Sequence, residues 1–164
     1  MTTTYEKIAT TTLGSDTATI TFSSISSAYT DLVISLVAGQ SALNDSFLLK
    51  VNGDSGNNYS DTYLLGNGST AISGNVTNNG YIGYGDLGGT AITAQFIFNF
   101  MDYSNTTTSK TILTRYNSLQ KGRTVASVSL WRSTSAITSV QFSFSGSDLL
   151  KAGTTATVYG IKAE

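Results

Sequence analysis

The stretch AQFIFNF, residues 94–100, decides the fold class. Its three phenylalanines fall at every second position, and the residues between them are Ile97 and Asn99. A period of two is typical of a strand with one face in a hydrophobic core. The same alternation predicts strands at residues 17–22, 32–37, 127–131 and 140–145, and shorter strands at residues 6–12, 47–52, 62–65, 80–84, 111–117 and 155–161.

No long window carries an apolar stripe with the helical period of 3.6 residues. At most one short helical turn is predicted, near Ser118–Gly122. The connections at residues 38–46, 53–61 and 66–79 are long, and they favour Greek-key crossovers over an up-and-down meander. We therefore predict an all-β chain with a single antiparallel β-sandwich domain over residues 1–164, jelly-roll-like, with about ten strands and almost no helix.

The composition excludes several classes of chemistry. The 164 residues include no histidine, cysteine or proline, and the net charge is −1. Without histidine and cysteine, the chain lacks the usual zinc, copper and haem ligands, a thiolate nucleophile and the base of a Ser-His-Asp relay. The balanced charge predicts no nucleic-acid or membrane partner. We expect no cofactor and no metal.

The low charge also indicates how the protein works. Charged residues make up 12% of the chain, against about 25% in an average soluble domain. An uncharged polar surface is poorly protected against association, and it suits a protein inside an assembly. The N-terminal residues lack the basic and apolar segments of a signal peptide, so we expect synthesis in the cytoplasm without export.

Two motifs have alternative interpretations. GYGDLG, residues 83–88, has the G-x-G-x-x-G spelling of a dinucleotide loop, but the segment after it alternates like a strand. Because the dinucleotide motif must open a helix, we interpret it as a β-turn. VNGDSGNNYSD, residues 51–61, offers oxygen ligands for calcium, or it is a polar turn held by side-chain to backbone hydrogen bonds. We expect the turn.

Carboxylate catalysis has little support in the sequence. Glycoside hydrolysis uses two carboxyl groups across the sugar. The ten acidic residues fall mostly at predicted strand ends and turns, and no predicted strand places an acid inward among apolar neighbours. We therefore predict that the protein is not an enzyme and that it has no catalytic residues.

Aromatic and basic residues are the remaining candidates for contacts. Tyr59, Tyr63, Tyr81 and Tyr84 lie in the loop-rich middle of the chain, either as sugar-stacking rings or as the rim of the sandwich. Arg115, Lys121, Arg123 and Arg132 form a basic group that either meets an acidic partner or is a solvated face. The candidate interface residues are Tyr5, Ile8, Arg115, Arg123, Trp131 and Arg132.

Several stretches carry a resemblance to a known family. ATTTLGSDTATITFSSISSAYTDLVISL, residues 9–36, places an apolar strand before a Tyr-Thr-Asp-Leu strand start. FLLKVNGDSGNNYS at 47–60 and LLGNGS at 64–69 supply an Asn-Gly-Asp turn and the loop after it. Residues 131–142 and 152–163 supply the closing strands. Together they resemble a jelly-roll-type domain of virion structural proteins of tailed bacteriophages.

The resemblance implies a non-enzymatic structural protein of the virion. It implies a capsid decoration (cement) protein that binds the major capsid protein, or another virion protein, and stabilises the outer head shell. The alternative that it implies is a receptor- or carbohydrate-binding module of a tail fibre or tail tip. A homo-oligomer, either a dimer or a trimer, is expected in both positions.

Overall fold

The computed structural model describes residues 4–42, 45–92 and 94–162. The described residues form strands and turns, with no helix that could cross a membrane. In chain order the strands are β1 (Tyr5–Thr12), β2 (Thr19–Phe22), β3 (Asp31–Ala38), β4 (Phe47–Val51), β5 (Tyr59–Gly66), β6 (Ala71–Asn79), β7 (Ile82–Gly83), β8 (Ala94–Met101), β9 (Lys110–Ser118), β10 (Arg123–Trp131), β11 (Val140–Phe144) and β12 (Thr155–Ile161).

The strands form two antiparallel sheets with jelly-roll topology. The large sheet has the order β1-β12-β3-β8-β9-β10-β5-β6, and the small sheet has the order β2-β11-β4-β7. Without the β5–β6 and β9–β10 hairpins, β1-β12-β3-β8 faces β2-β11-β4-β7, and most successive strands alternate between the sheets. This is the double Greek key of a jelly roll. The predicted fold class is confirmed, and the described residues form twelve strands.

The alternating sequence forms the core between the sheets. Phe96, Phe98 and Phe100 on β8 are fully buried, as are Leu32 and Ile34 on β3. Buried residues of both sheets belong to one hydrophobic cluster. Residues 1–164 as one domain stay a prediction.

Two local predictions are wrong. Residues 66–79 were predicted as a long connection, but most of them form the edge strand β6, which pairs with β5. The segment near Ser118–Gly122 is the tight turn of the β9–β10 hairpin, closed by a hydrogen bond from Gly122 N to the Leu119 carbonyl (3.1 Å). A hairpin turn joins consecutive antiparallel strands here, so no helical turn forms.

The two sheets differ in width, with eight strands in the large sheet and four in the small sheet. The β9, β10, β5 and β6 strands extend the large sheet beyond β7, which is the edge of the small sheet. The inner face of this extension is therefore only partly covered. A cleft lies there.

Candidate ligand-binding cleft

The cleft has a volume of about 330 Å³, within the range of small-molecule sites. Its floor is the inner face of β5, β9 and β10, and one wall is the edge strand β6. The opposite wall is the segment 81–85 around β7. Backbone hydrogen bonds hold this wall, because Phe47 N donates to the Gly85 carbonyl (2.8 Å) and Tyr84 N donates to the Phe47 carbonyl (2.9 Å).

Two half-buried tyrosines line the cleft next to glycines. Tyr63 on β5 pairs in register with Gly74 on β6, and the distal edge of its ring lies over the Gly74 backbone. A Cβ at Gly74 would lie 2.5 Å from the Tyr63 Oη. Tyr81 is placed similarly, with its ring edge 3.4 Å from a Cβ built on Gly83. The glycines therefore allow both rings to rest against the strands that form the walls.

The side chains beneath these rings are aromatic and hydrogen-bonded within the protein. The hydroxyl of Tyr84 is 3.0 Å from the Thr114 Oγ1, and the Tyr116 hydroxyl donates to the Tyr84 carbonyl at 2.6 Å. Burial raises the pKa of Tyr116 to about 12 and raises the pKa of Tyr84 further. Both phenols are therefore neutral near pH 7, and their hydrogen bonds are made within the protein.

An inward-facing acid lies on the floor, contrary to the sequence prediction. Asp61 is 6% exposed, and the Ser129 Oγ donates to its carboxylate at 2.6 Å. The predicted strand began at residue 62, which left Asp61 in a turn, whereas β5 begins at Tyr59. Burial raises the pKa of Asp61, and the hydroxyls of Ser129 and Ser127 partly offset this rise.

Two further polar groups in the cleft lack partners among the described residues. The Ser127 Oγ is buried. It is close enough to lower the pKa of the Asp61 carboxyl, but the two groups lie outside hydrogen-bonding geometry. The Arg123 Nε is also buried without a partner. Because unsatisfied buried polar groups are rare in native proteins, each calls for a ligand or a solvent molecule. The cleft thus combines aromatic rings with free hydrogen-bonding groups.

Asp61→Asn is expected to change the pH dependence of stability. Since the folded pKa of Asp61 is raised from 3.8, its contribution to stability is fully present below the unfolded pKa and is lost as the pH rises through the folded pKa. Asparagine keeps the acceptor for Ser129 without ionising. The free energy of unfolding of the variant, relative to the parent in urea titrations, should therefore increase over that pH interval.

Asp54→Asn is the matched control with the opposite sign. The Trp131 indole N–H and the Asn58 amide lower the pKa of Asp54 below 3.8. Its contribution is present above the unfolded pKa and is lost as the pH falls through the folded pKa. The relative stability of this variant should increase on acidification. If the difference in free energy of unfolding between Asp61→Asn and the parent does not change with pH, Asp61 is not a buried carboxyl that ionises over this interval.

Two predicted contact residues are core residues instead. Tyr59 is fully buried, and its hydroxyl bonds the Val51 backbone, with the Val51 N–H donating at 3.0 Å. Trp131 is 3% exposed, and its indole N–H donates to the Asp54 carboxylate at 2.7 Å. Neither side chain is exposed at the surface of the chain, in contrast to the other predicted contact tyrosines Tyr63 and Tyr81. Both fix the turn between β4 and β5.

That turn has the side-chain to backbone hydrogen bonds expected for residues 51–61. The Asp54 carboxylate accepts hydrogen bonds from Gly56 N (2.8 Å) and the Asn58 amide (2.9 Å). Asn52 Oδ1 accepts from Ser139 N at 3.0 Å. Within the described ranges, no three potential acidic ligands are grouped for a metal ion. The side-chain oxygens of this loop accept the hydrogen bonds that hold the turn.

The structure does not bring the basic group together. Arg115 is exposed on the outer face of the large sheet, whereas Arg123 faces the cleft on its inner face. Arg132, at the other end of β10, donates to the Asn57 carbonyl (2.7 Å) and the Asn78 amide oxygen (2.8 Å). Arg115 and Arg123 lie on opposite faces because alternate strand positions face opposite sides of a sheet, and a role of the three arginines as interface residues stays a prediction.

Tyr5 and Ile8 lie in β1, which pairs with β12 at the edge of the large sheet. Tyr5 is 55% exposed and available for contacts. Ile8 lies at a bulge between Lys7 and Ala9 and packs against the core. Tyr5 therefore remains the more accessible of these two candidate interface residues.

The sequence prediction missed Asp61 and Ser127, which line the cleft, and Gly74, which lies under the Tyr63 ring. The alternation of Tyr59, Asp61 and Tyr63 was the available signal, because it continues the period of β5 by two more residues. Three of the predicted tyrosines line the cleft, Tyr63 and Tyr81 as half-buried side chains and Tyr84 as a buried one.

GYGDLG begins at the last residue of β7 and continues as an irregular segment. Gly85 and Gly88 have positive φ angles of 72° and 87°. The chain then enters the described strand β8, so no helix N-terminus is present to hold a pyrophosphate. The segment lacks the context of a dinucleotide loop, and the β-turn stays a prediction.

Comparisons with known proteins add no relative. No family model and no curated protein matches the chain. Among solved structures, an alginate lyase variant in complex with an alginate tetrasaccharide superposes with a TM-score of 0.19 and 7% identity, covering 84% of this chain and 70% of the lyase chain. A likeness at that TM-score carries no argument about fold or function.

Proposed function

We propose that the protein is a non-enzymatic carbohydrate-binding module, in the setting that the family resemblance implies, the surface of a tailed-bacteriophage particle. The observation that carries the proposal is the cleft beside β7. Tyr63 and Tyr81 line it, and the Ser127 Oγ and the Arg123 Nε have no hydrogen-bond partner among the described residues.

This combination suits a sugar more than an apolar ligand. A tyrosine ring stacks on the apolar face of a sugar and keeps a hydroxyl for hydrogen bonding. Sugar hydroxyls can satisfy groups such as the Ser127 Oγ, which otherwise have no partner in the described chain. Buried polar atoms that pair only with ligand are a source of specificity, because the wrong ligand leaves them unsatisfied.

The cleft favours binding over hydrolysis. Among the described residues that line it, Asp61 supplies the one carboxyl group. Glycoside hydrolysis uses a pair of carboxyl groups across the scissile bond. The Asp61 carboxylate also accepts a hydrogen bond from Ser129, which fixes it in the floor. These observations support a module that holds a sugar without cleaving it.

The test is a panel of surface oligosaccharides, neutral and acidic, read by direct binding and by product analysis. The proposal expects at least one oligosaccharide to bind, tyrosine fluorescence to change, and the sugar to remain intact. Tyr63→Ala should weaken that binding, whereas Tyr5→Ala, an exposed tyrosine on β1, should not. Binding to no member of the panel would overturn the proposed function, and cleavage products would overturn its non-enzymatic character.

A second candidate function is the capsid decoration protein, favoured by the outer face of the large sheet. Leu113 and Val128 face each other across β9 and β10 and are 37% and 55% exposed, and Leu64 on β5 is 65% exposed. Arg115 is the nearby charged residue on this face. Exposed apolar residues grouped on one sheet face are typical of a protein interaction site.

Capsid binding tests this second candidate. The purified protein should bind expanded capsids that lack it, at a stoichiometry set by the capsid lattice. Val128→Lys should abolish that binding because it places a charge in the apolar face, whereas Thr124→Lys, on the same face near the strand end, should retain it. Labelling of tails alone in electron micrographs would overturn the decoration role. The dimer or trimer stays a proposal that sedimentation would test.

A further inference from the structure

Arg123 is held in the cleft by one backbone contact. Its Nη2 donates to the Asp86 carbonyl, and its Nε is buried without a partner in the described chain. Gly85, with φ of 72°, makes room for it, since a Cβ there would lie 3.1 Å from Nη2. The guanidinium is therefore positioned, but part of its hydrogen-bonding capacity is unused.

The charge of Arg123 is also unpaired. The adjacent Asp86 carboxylate forms an ion pair with Lys121 at 3.1 Å. No carboxylate of the described ranges lies within 4.0 Å of the Arg123 guanidinium. Asp61 lies opposite Ser129, six residues along β10 from Arg123, a backbone separation of about 20 Å. The Arg123 end of the cleft therefore has excess positive charge.

A second free group lies further along the same strand. Ser127 is 5% exposed, lines the cleft, and its Oγ has no partner in the described residues. Arg123 and Ser127 are four residues apart on the inner face of β10, about 13 Å along the strand. Tyr63 faces Ser127 from β5, where the two are register partners. A ligand longer than one sugar ring can reach from the guanidinium to this hydroxyl.

We propose that the cleft selects sugars that carry a carboxylate, an inference that rests on the proposed carbohydrate-binding function. The Arg123 guanidinium binds the ligand carboxylate, while Tyr63 and Tyr81 contact the sugar rings and Ser127 accepts or donates to a hydroxyl. A hydrogen bond between a guanidinium and a carboxylate is charge-assisted and about twice as strong as a neutral one. The planar fork of arginine suits a carboxylate better than a lysine ammonium does.

A purely structural role for Arg123 makes a different prediction. If Arg123 only clamps the Asp86 carbonyl, its removal should weaken the binding of every ligand to the same degree, through movement of the wall at residues 81–85. If it binds a carboxylate, its removal should affect the acidic ligands alone. The comparison of an acidic sugar with its own neutral ester separates these roles.

The experiment uses uronate and sialylated oligosaccharides, each paired with its methyl ester, and measures dissociation constants by titration calorimetry. The parent protein should bind at least one acid at least tenfold more tightly than its ester, with a preference that falls as salt is added. Arg123→Gln should bind that acid and its ester equally well. Arg115→Gln, the matched arginine on the outer face of the same sheet, should keep the parent's preference.

Each contrary outcome has a distinct meaning. Equal binding of acids and esters by the parent, or binding of neutral sugars alone, would overturn the carboxylate preference and leave the proposed function in place. Binding to no sugar would overturn the proposed function as well. If Arg123→Gln fails to fold, Arg123→Lys replaces it. That variant should reduce the preference, because it keeps the charge and loses the fork, and an unchanged preference would contradict the inference.

Discussion

Replacing Phe47 with alanine is expected to lower the free energy of unfolding by about 3–5 kcal/mol. Phe47 is fully buried at the start of β4, and its ring contacts those of Tyr84, Phe96, Phe142 and Phe144 at centroid distances of 5.0 to 6.2 Å. These partners come from both sheets and from the wall of the cleft. The truncation therefore leaves a cavity where the two layers meet, and surrounding strands can fill it only in part.

Urea-induced unfolding of Phe47→Ala measures this effect. The loss is a large fraction of the stability of a typical domain, which is about 5–15 kcal/mol, so the variant should unfold at a much lower urea concentration. Leu64→Ala is the control, because it removes an apolar side chain that is 65% exposed on the outer face of β5. Its effect should stay within about 0.5 kcal/mol. Equal decreases in the free energy of unfolding in the two variants would contradict the position of Phe47 in the core.

Gly74→Val is expected to weaken sugar binding by at least tenfold while leaving stability nearly unchanged. A Cβ at residue 74 would lie 2.5 Å from the Tyr63 Oη and 2.6 Å from its Cζ. The ring must therefore leave its position on β6. Because the distal end of a side chain can move, the cost to stability is small, and valine favours a strand more than glycine does.

Calorimetric titration with the strongest ligand of the panel measures this loss. A fully buried aromatic contact contributes about 1.5–3 kcal/mol, which corresponds to a factor of ten or more in affinity. Ser73→Val is the matched control, because residue 73 is the next position on β6 and pairs with Leu64, whose side chain lies on the outer face. Unchanged affinity in Gly74→Val would show that Tyr63 does not contact the sugar.

The fold was predictable because the core strands carry a strong period of two. In β8, Phe96, Phe98 and Phe100 all point into the core. A shift of the strand register by one residue would place all three on the outer face, so the sequence specifies the register strongly. The strand β6, AISGNVTNN, was not predictable by the same signal. It is an edge strand with mostly exposed side chains, and its glycine and asparagines are depleted in strands.

The cleft was predictable only in part. Its tyrosines were visible as aromatic residues near loops. Arg123, Tyr63 and Tyr81 come together only because β10 pairs with β5 and because the large sheet extends beyond β7. Residues that are distant in sequence and meet through strand order leave no local pattern. Strand boundaries are a related difficulty. The predicted strand begins at residue 62 and leaves Asp61 in a turn, whereas β5 begins at Tyr59 and buries Asp61.

The central claim is that the cleft beside β7 binds a sugar. An NMR titration of the amide signals with the strongest oligosaccharide of the panel tests it most directly. We expect the shifted amides to cluster around the cleft, at Tyr63, Gly74, Gly83, Gly85 and Arg123. Shifts confined to the outer face of the large sheet, or no shifts at saturating sugar, would contradict it.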